Sequence, residues 1–398
     1  MAADGAGGRV VEARCAACGA AADPAGVLYT CEACGGTVDL LYDYPRIAGE
    51  LAAAGEAADA AAALAPSPPA GHHARAVLRP APRLAADLGL ADLALADDTG
   101  QPSGSLKDRA SEAVLQRAVE LGLGTVACAS TGNAAASLAC LAPRFGLAAV
   151  VFVPRAAPPA KLRQMQVHGA RVVLVDGNYD RAYDLCLEAC RQRGWYSRNT
   201  AHNPWCGEGK KSVVTELAAP GRRRLADWIF VPTGDGCLLG GAHKGLTDLA
   251  RVGRLDGMPR LAAVQAEGSA AIAAAWRDGL DAVRPVRAAT VADSLAVDLP
   301  RDGHKALRAL RETDGMAVTV SDGEILQAQL DLARREGIFA EPAGAAALAG
   351  LRRALADGSV DPGGRVLVLV TGHGLKDPEA PAPLLEAPPV IASLADLP

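Results

Sequence analysis

The sequence predicts an α/β fold of two lobes behind a small cysteine-rich ribbon. Three observations carry that prediction. From Gly124 onward, apolar runs of five to seven residues alternate with segments of helical periodicity, the pattern of a parallel sheet flanked by helices. The alternation stops after "WYSRN" and resumes at "DWIFVP", which divides the chain into two lobes. Near the N-terminus, four of the ten cysteines stand in two C-x-x-C pairs.

The bulk properties fit that class. With 398 residues the chain is long enough for two or three domains and a large core. Half of the residues are hydrophobic, and a net charge of -5 gives no reason to expect a nucleic-acid partner. No apolar run reaches the roughly 18 residues that span a bilayer. The N-terminus lacks the basic and apolar regions of a signal peptide. A soluble, cytoplasmic protein with no membrane partner is expected. Cys128, Cys140, Cys186 and Cys190 sit singly in apolar segments, as buried thiols do.

Residues 1–45 form the expected ribbon. Cys15 and Cys18 make one pair, Cys31 and Cys34 the other, twelve residues apart, and a glycine (Gly19, Gly35) follows each pair. Two such turns present four thiolates, which suits a tetrahedral, closed and therefore structural zinc ion. A ribbon without metal, or thiols of no special role, are the alternatives. Residues 46–75 are alanine-rich, then proline-rich, and read as a linker whose first part is helical and whose second is irregular. Residues 76–120 and 207–390 are assigned to a large lobe and residues 121–206 to a small α/β lobe. In the small lobe "GTVACAS", "AAVVFVP", "ARVVLVD" and "WYSRN" read as strands with helices between them. In the large lobe "DWIFVP", "RLAAVQAEG" and "GRVLVLV" are strands, and "DGEILQAQLDLARREG" and "GAAALAGLRRALADG" are helices.

Ligands of open parallel sheets bind beyond the C-terminal strand ends. Three loops fall there. "STGN" (Ser130 to Asn133) opens a helix whose free amides favour an anion, though it also reads as a plain N-cap. "PTGDGCLLGG" (Pro232 to Gly241) offers backbone amides to a phosphate but matches no standard glycine motif. "TGHG" (Thr371 to Gly374) closes the last strand and, taken singly, is a turn. To these "TGQPSGSLKDR" adds Lys107, a rare lysine in an arginine-rich chain, placed just after a glycine-serine turn. Lysine can lose its proton and act as a nucleophile where arginine stays charged. The competing reading is a solvated charge at a helix start.

Together, "PSGSLKDR", "ASTGNAAASLA", "NPWCGEGKKS", "VPTGDGCLLGGAHKG", "EPAGAAALAGL" and "VTGHGLKDP" resemble the threonine synthase family, within the tryptophan-synthase-β-like (fold type II) pyridoxal-phosphate enzymes. The resemblance runs from about Cys15 to Pro378, and "TGHGLKDP" points to the threonine synthase branch. It implies a lyase of threonine biosynthesis that converts O-phospho-L-homoserine and water to L-threonine and phosphate, with pyridoxal 5'-phosphate as cofactor and a small amino acid as substrate. A homodimer is the family habit. By the same resemblance Lys107 carries the cofactor covalently and Asn133 meets its ring oxygen. Gly234, Asp235, Gly236, Cys237 and Leu238 wrap its phosphate, and Thr371 meets its pyridine nitrogen through a neutral hydroxyl. Asp235 is expected to face away from that phosphate, which it would otherwise repel. Ser130, Thr131, Asn199, Thr200 and Lys211 are candidates for the substrate's phosphate or carboxylate.

The chain departs from the family pattern slightly in the lysine segment, where "QPSGSL" stands for the usual "NPTGSF" with turn chemistry preserved, and more seriously at position 206. Cys206 stands about where phosphohomoserine-using relatives carry an arginine that clamps the substrate phosphate, and a thiol cannot make that bidentate charged contact. Lys210 and Lys211 are possible compensators. The departure keeps a second enzyme reading open, a cysteate-synthase-like replacement on O-phosphoserine with sulfite. A regulatory protein on a catalytically dead scaffold is the non-enzyme alternative.

Overall fold

The computed structural model describes all residues except 1–8, 26–28, 68–70, 72–74, 156, 158, 219–221, 389, 391 and 393–398. Parts of the expected ribbon and linker therefore lie outside the described residues. In chain order the strands are β1 (Val10–Cys15), β2 (Ala21–Ala22), β3 (Val38–Tyr42), β4 (Val77–Pro80), β5 (Asp92–Asp97), β6 (Thr125–Ala129), β7 (Ala148–Pro154), β8 (Arg171–Val175), β9 (Tyr196–Ser197), β10 (Trp228–Pro232), β11 (Arg260–Ala266), β12 (Met316–Val320) and β13 (Arg365–Val370).

They make three sheets. β2-β1-β3 is a small antiparallel sheet, β12-β11-β10-β13-β5-β4 has six strands, and β8-β7-β6-β9 has four. The four-stranded sheet is wholly parallel, and the six-stranded one is parallel except for β4, which pairs antiparallel at the edge. Pro80 is tolerated there because an edge strand leaves one side of its backbone unpaired.

Both large sheets are covered on two faces, which is why their strands read as unbroken apolar runs rather than alternating ones. On one face of the six-stranded sheet, Ile229, Val231 and Leu369 pack with Leu239 and Leu246 of the helix Cys237–Arg251. On the other, Phe230, Val264 and Val368 meet Leu348 and Leu351 of the helix Pro342–Ala356. The four-stranded sheet has the same double cover. The helix Lys107–Glu120 buries Ala110, Val114, Leu115 and Ala118 in that second core, while Leu106 before it belongs to the core of the six-stranded sheet. This helix therefore ties the two sheets together, although its sequence position falls in the segment assigned to the large lobe.

The ribbon is docked rather than loose. Lys305 Nζ donates to the Val38 carbonyl (3.0 Å) and pairs with Asp39 (2.8 Å), and Tyr42 donates to Glu208 (2.6 Å). The linker is helical over Tyr44–Ala54 and Ala60–Ala63, with Leu51 and Leu64 in the core. No helix among the described residues is long and apolar enough to cross a membrane.

Candidate active site

The C-terminal ends of β5, β6, β9, β10 and β13 converge. Lys107 follows β5 after a turn that needs Gly104 at φ +78°. The turn is stitched to the end of β13: Leu106 N–H donates to the Thr371 carbonyl (2.9 Å) and His373 N–H to the Gly104 carbonyl (2.9 Å). Asp108 folds back to accept from the backbone and hydroxyl of Ser103 (2.7 and 2.6 Å). Arg109 forks onto Asp98 (3.0 and 2.8 Å) and reaches Glu216 (2.7 Å). The two residues after the lysine are thus spent on holding the local backbone and the helix start.

Lys107 itself is half-buried and opens on a cleft of about 690 Å³. Burial pushes its amine down to about 8, with Lys210 and Arg198 assisting and Asp235 and Glu341 opposing. An amine of that kind is neutral for an appreciable fraction of the time near neutral pH.

Ser130, Thr131, Asn133, Asn199, Thr200 and Asp235 line the same cleft. Asn133 begins the helix Asn133–Leu141, and its Nδ2 donates to Ser294 Oγ (3.1 Å) and to both oxygens of Glu341 (2.9 and 3.0 Å). Burial raises the Glu341 carboxyl above its ordinary value, against Asn133, Lys107 and Lys376. Asn199 spends its carbonyl on Ala129 N–H (2.8 Å), so it braces the end of β6 while facing the cleft. Thr371 is buried behind Leu106.

The loop after β10 wraps tightly. Gly236 has φ +88°, and a Cβ there would lie 2.7 Å from the Asp302 carbonyl oxygen. Gly234, Gly236, Cys237 and Leu238 lie at the start of the helix Cys237–Arg251. Asp235 does not turn away as its charge suggested. Its Oδ1 accepts from Cys237 N–H (2.9 Å) and it lines the cleft. The reason is electrostatic: burial alone would raise its carboxyl, but Lys210, the Cys237 amide, Lys107 and Arg198 together hold it below the usual range.

Lys211 is a second correction. It is absent from the cleft lining and sits in a buried cluster, paired with Glu208 (2.6 Å) and Asp248 (2.9 Å) above the Tyr42 ring. Its neighbour Lys210, about a quarter-turn round the same helix, is also buried off the cleft lining, but within electrostatic reach of Lys107 and Asp235. Burial disfavours the Lys210 charge, yet Cys237 and Asp235 favour it, and the balance raises its pKa above the ordinary lysine value. The thiols of Cys15, Cys18, Cys31 and Cys34 lie within 4.8 Å of one another, an arrangement able to hold a metal ion.

A family profile described as pyridoxal-phosphate dependent enzyme matches residues 70–372. A threonine synthase of Methanosarcina acetivorans is 36% identical over 391 residues, covering 96% of this chain and 96% of the relative. That of Methanocaldococcus jannaschii is 33% identical over 396 residues, covering 94% and 95%. The chain belongs to the threonine synthase family. It is therefore a pyridoxal-phosphate-dependent enzyme of the lyase type. Among solved structures, the processed form of threonine deaminase isoform 2 from Solanum lycopersicum matches with a TM-score of 0.67 at 21% identity, covering 81% of this chain and 85% of that one. That likeness carries the fold type II architecture and nothing finer.

Sequence reasoning missed two residues that line the cleft, Tyr179 and Arg198, and one that holds a lining residue from behind, Glu341. Glu341 lies in the quoted "EPAGAA" but reads as a helix N-terminal acid. Tyr179 reads as part of an amphipathic helix, and Arg198 as the end of a short strand. The last had a usable signal: it sits beside Asn199 and Thr200 in the loop after β9, a C-terminal strand end like the others.

Proposed function

We propose that this protein is a threonine synthase acting on O-phospho-L-homoserine and water to give L-threonine and phosphate. The observation that carries the reading is Lys107: a desolvated amine at the meeting of five strand ends, facing Asn133 and flanked by a glycine-bearing helix start. Those residues fit pyridoxal phosphate. The loop at Gly236 packs so closely on the Asp302 backbone that only glycine fits, and it delivers the chain to a helix start whose amides suit a phosphate. Once bound, the cofactor withdraws electrons from the bonds at the substrate's α-carbon.

The chain's own residues do the rest. Lys107 would hold the cofactor through its amine and, as a free amine, would move protons at the substrate's Cα and Cβ. Asn133, oriented by Glu341, meets the ring oxygen. Gly234 to Leu238 hold the phosphate, with the Asp235 carboxylate occupied by the Cys237 amide. Thr371 offers the pyridine nitrogen a neutral hydroxyl, which favours elimination and replacement over transamination. Ser130, Thr131, Asn199 and Thr200 supply polar groups for the substrate's acid groups. We further assign a structural zinc ion to the four ribbon thiols, a cytoplasmic location and a homodimer.

A second reading is favoured by one observation. Cys206 is fully buried with its thiol near the Arg198 carbonyl (3.5 Å), so no cation stands at that position. A cysteate-synthase-like reaction on O-phosphoserine and sulfite then competes. Phosphate release and amino-acid product are to be measured with O-phospho-L-homoserine, and separately with O-phospho-L-serine plus sulfite. Threonine from the first is the expected result. Cysteate from the second alone transfers the assignment, and neither product sinks both.

A further inference from the structure

Arg198 is the anomaly of this cleft. Its side chain is fully buried, and it lines the cleft that Lys107 opens on. Nε donates to Ser111 Oγ (3.1 Å) and Nη1 to Thr200 Oγ1 (3.0 Å), so two hydroxyls fix the plane of the guanidinium. Nη2 is buried with no hydrogen-bond partner among the described residues. Nor does Arg198 make an ion pair among them. Arg109, equally buried, shows the usual solution, with Asp98 and Glu216 both in salt-bridge contact. A guanidinium held without such partners is costly unless an anion arrives to complete it.

The surroundings point the same way. Lys107, Arg198 and Arg301 line the cleft with Asp180, Asp235, Asp293 and Asp298, and Lys210 lies within electrostatic reach of Lys107 and Asp235. Arg301 is paired with Asp180 (3.5 Å) and Asp235 is engaged by the Cys237 amide, so neither completes Arg198. The Cys206 thiol lies against the Arg198 and Asn199 carbonyls (3.5 and 4.0 Å), so position 206 braces the segment that bears the arginine. The wall holding Arg198 is that of Asn199, Thr200, Ser130 and Thr131, whereas the amides suited to the cofactor's phosphate belong to the loop after β10.

We infer that Arg198 is the substrate-binding residue that clamps a phosphate dianion at the far end of a short amino-acid substrate, Nη2 donating to it while Ser111 and Thr200 hold the fork. The inference rests on reading this cleft as a pyridoxal-phosphate amino-acid site. It supplies from the end of β9 the cation that position 206 lacks.

Two phosphates are conceivable at Arg198, the substrate's and the cofactor's, and the test separates them. Arg198→Gln, Arg198→Lys and Thr200→Val are compared with wild type in two titrations: apoprotein with pyridoxal phosphate, followed by visible absorbance, and holoenzyme with inorganic phosphate, followed by calorimetry. KM and kcat for O-phospho-L-homoserine are measured alongside. In Arg198→Gln, phosphate binding to the holoenzyme weakens by about tenfold to hundredfold, the scale of one charge-assisted hydrogen bond. KM rises accordingly, kcat falls less, and cofactor binding is unchanged. Arg198→Lys recovers part of the loss, and Thr200→Val shows a smaller one, which keeps the test open should Arg198→Gln not fold. Weakened cofactor binding with intact phosphate binding assigns Arg198 to the cofactor and overturns the inference. Unchanged values in both titrations overturn it as well. If the wild type makes no threonine yet its phosphate binding depends on Arg198, the substrate named above is wrong and the clamp stands.

Discussion

The side-chain amide of Asn133, which lines the cleft, donates to both carboxylate oxygens of Glu341, at 2.9 and 3.0 Å. The pair joins the helix that follows β6 to the turn that opens the helix Pro342–Ala356, so one contact spans the two large sheets. Because burial raises the Glu341 carboxyl, the fold keeps a proton where the unfolded chain has lost it. Its contribution to stability is then full below the unfolded value and falls as pH rises through the raised one. Glu341→Gln removes that slope, and the cofactor-free variant melts higher than wild type at neutral pH. The same change loosens Asn133, so kcat/KM falls by about tenfold, the scale of one buried hydrogen bond. Unchanged kcat/KM with a higher melting temperature would reduce Glu341 to a structural role.

Lys107 makes a pH prediction of the opposite kind. Its amine is pushed down to about 8 by burial. Below that pH the fold carries a desolvated ammonium; between about 8 and the unfolded value near 10.4 the burden is relieved, so stability rises with pH there. Cofactor attachment needs the neutral amine, and its observed rate should climb with pH to a plateau, with a midpoint near 8. Stopped-flow absorbance on apoprotein measures that midpoint. A midpoint near 10 would mean the amine is not desolvated. Lys107→Met removes both the visible band and the pH slope of the apoprotein's stability.

Gly236 is held by geometry rather than by flexibility. Its φ of +88° and the 2.7 Å approach to the Asp302 carbonyl leave no place for a Cβ. Gly236→Ala should cost about 1–3 kcal/mol of local strain and move the loop. Affinity for pyridoxal phosphate then falls in an equilibrium titration. Gly89 provides the control: its φ is +67° with open space around it, so Gly89→Ala costs stability without touching cofactor affinity. Equal cofactor affinity in both variants would remove the loop from the phosphate site.

Most of the architecture was legible because double-covered strands write themselves as apolar runs, and because glycine and proline mark where those runs stop. Half of the six-stranded sheet, β4, β5 and β12, is not legible as strand: β4 is mostly exposed and paired only with β5 at the edge, and β5 and β12 are short segments with few large apolar residues. The meeting of Lys107, Asn133 and Asp235 followed from placing loops at strand ends. The side chains' directions did not follow. On its charge alone Asp235 is expected to face away from the cofactor's phosphate, since the cations that favour its carboxylate, Lys210 and Arg198, come from other segments. Lys210 and Lys211 are adjacent in sequence, and their helix is buried nearly all round, so periodicity offered no outer face from which to tell them apart.

Lys211 therefore supplies a stability prediction in place of a binding one. It pairs with Glu208 and Asp248, a carboxylate pair that Lys244 also serves. Lys211→Met leaves two buried carboxylates with one cation and should lower unfolding free energy by about 3–5 kcal/mol. KM for the substrate stays as in wild type, since no part of this cluster lines the cleft. Denaturant titration and steady-state kinetics decide it. A raised KM at unchanged stability would return Lys211 to the substrate site.

One contact of the ribbon with the Arg198 wall runs through Tyr29. Its hydroxyl accepts from Ser197 N–H (2.9 Å), one residue before Arg198, and its ring stacks on Tyr196 and His202 at 5.6 and 4.3 Å between centroids. Tyr29 lies between the two C-x-x-C pairs, so whatever orders those four thiols also seats this ring. One zinc ion per chain is expected by elemental analysis. Stripping it with a chelator should raise KM several-fold and leave the cofactor's absorbance in place, because Lys107 and the loop after β10 are held by other elements. Tyr29→Ala should reproduce that rise with the metal still bound, and Tyr29→Phe part of it, through a buried N–H left without its acceptor at about 1–3 kcal/mol. If chelation raises KM in the wild type but raises it equally again in Tyr29→Ala, the coupling does not pass through this ring.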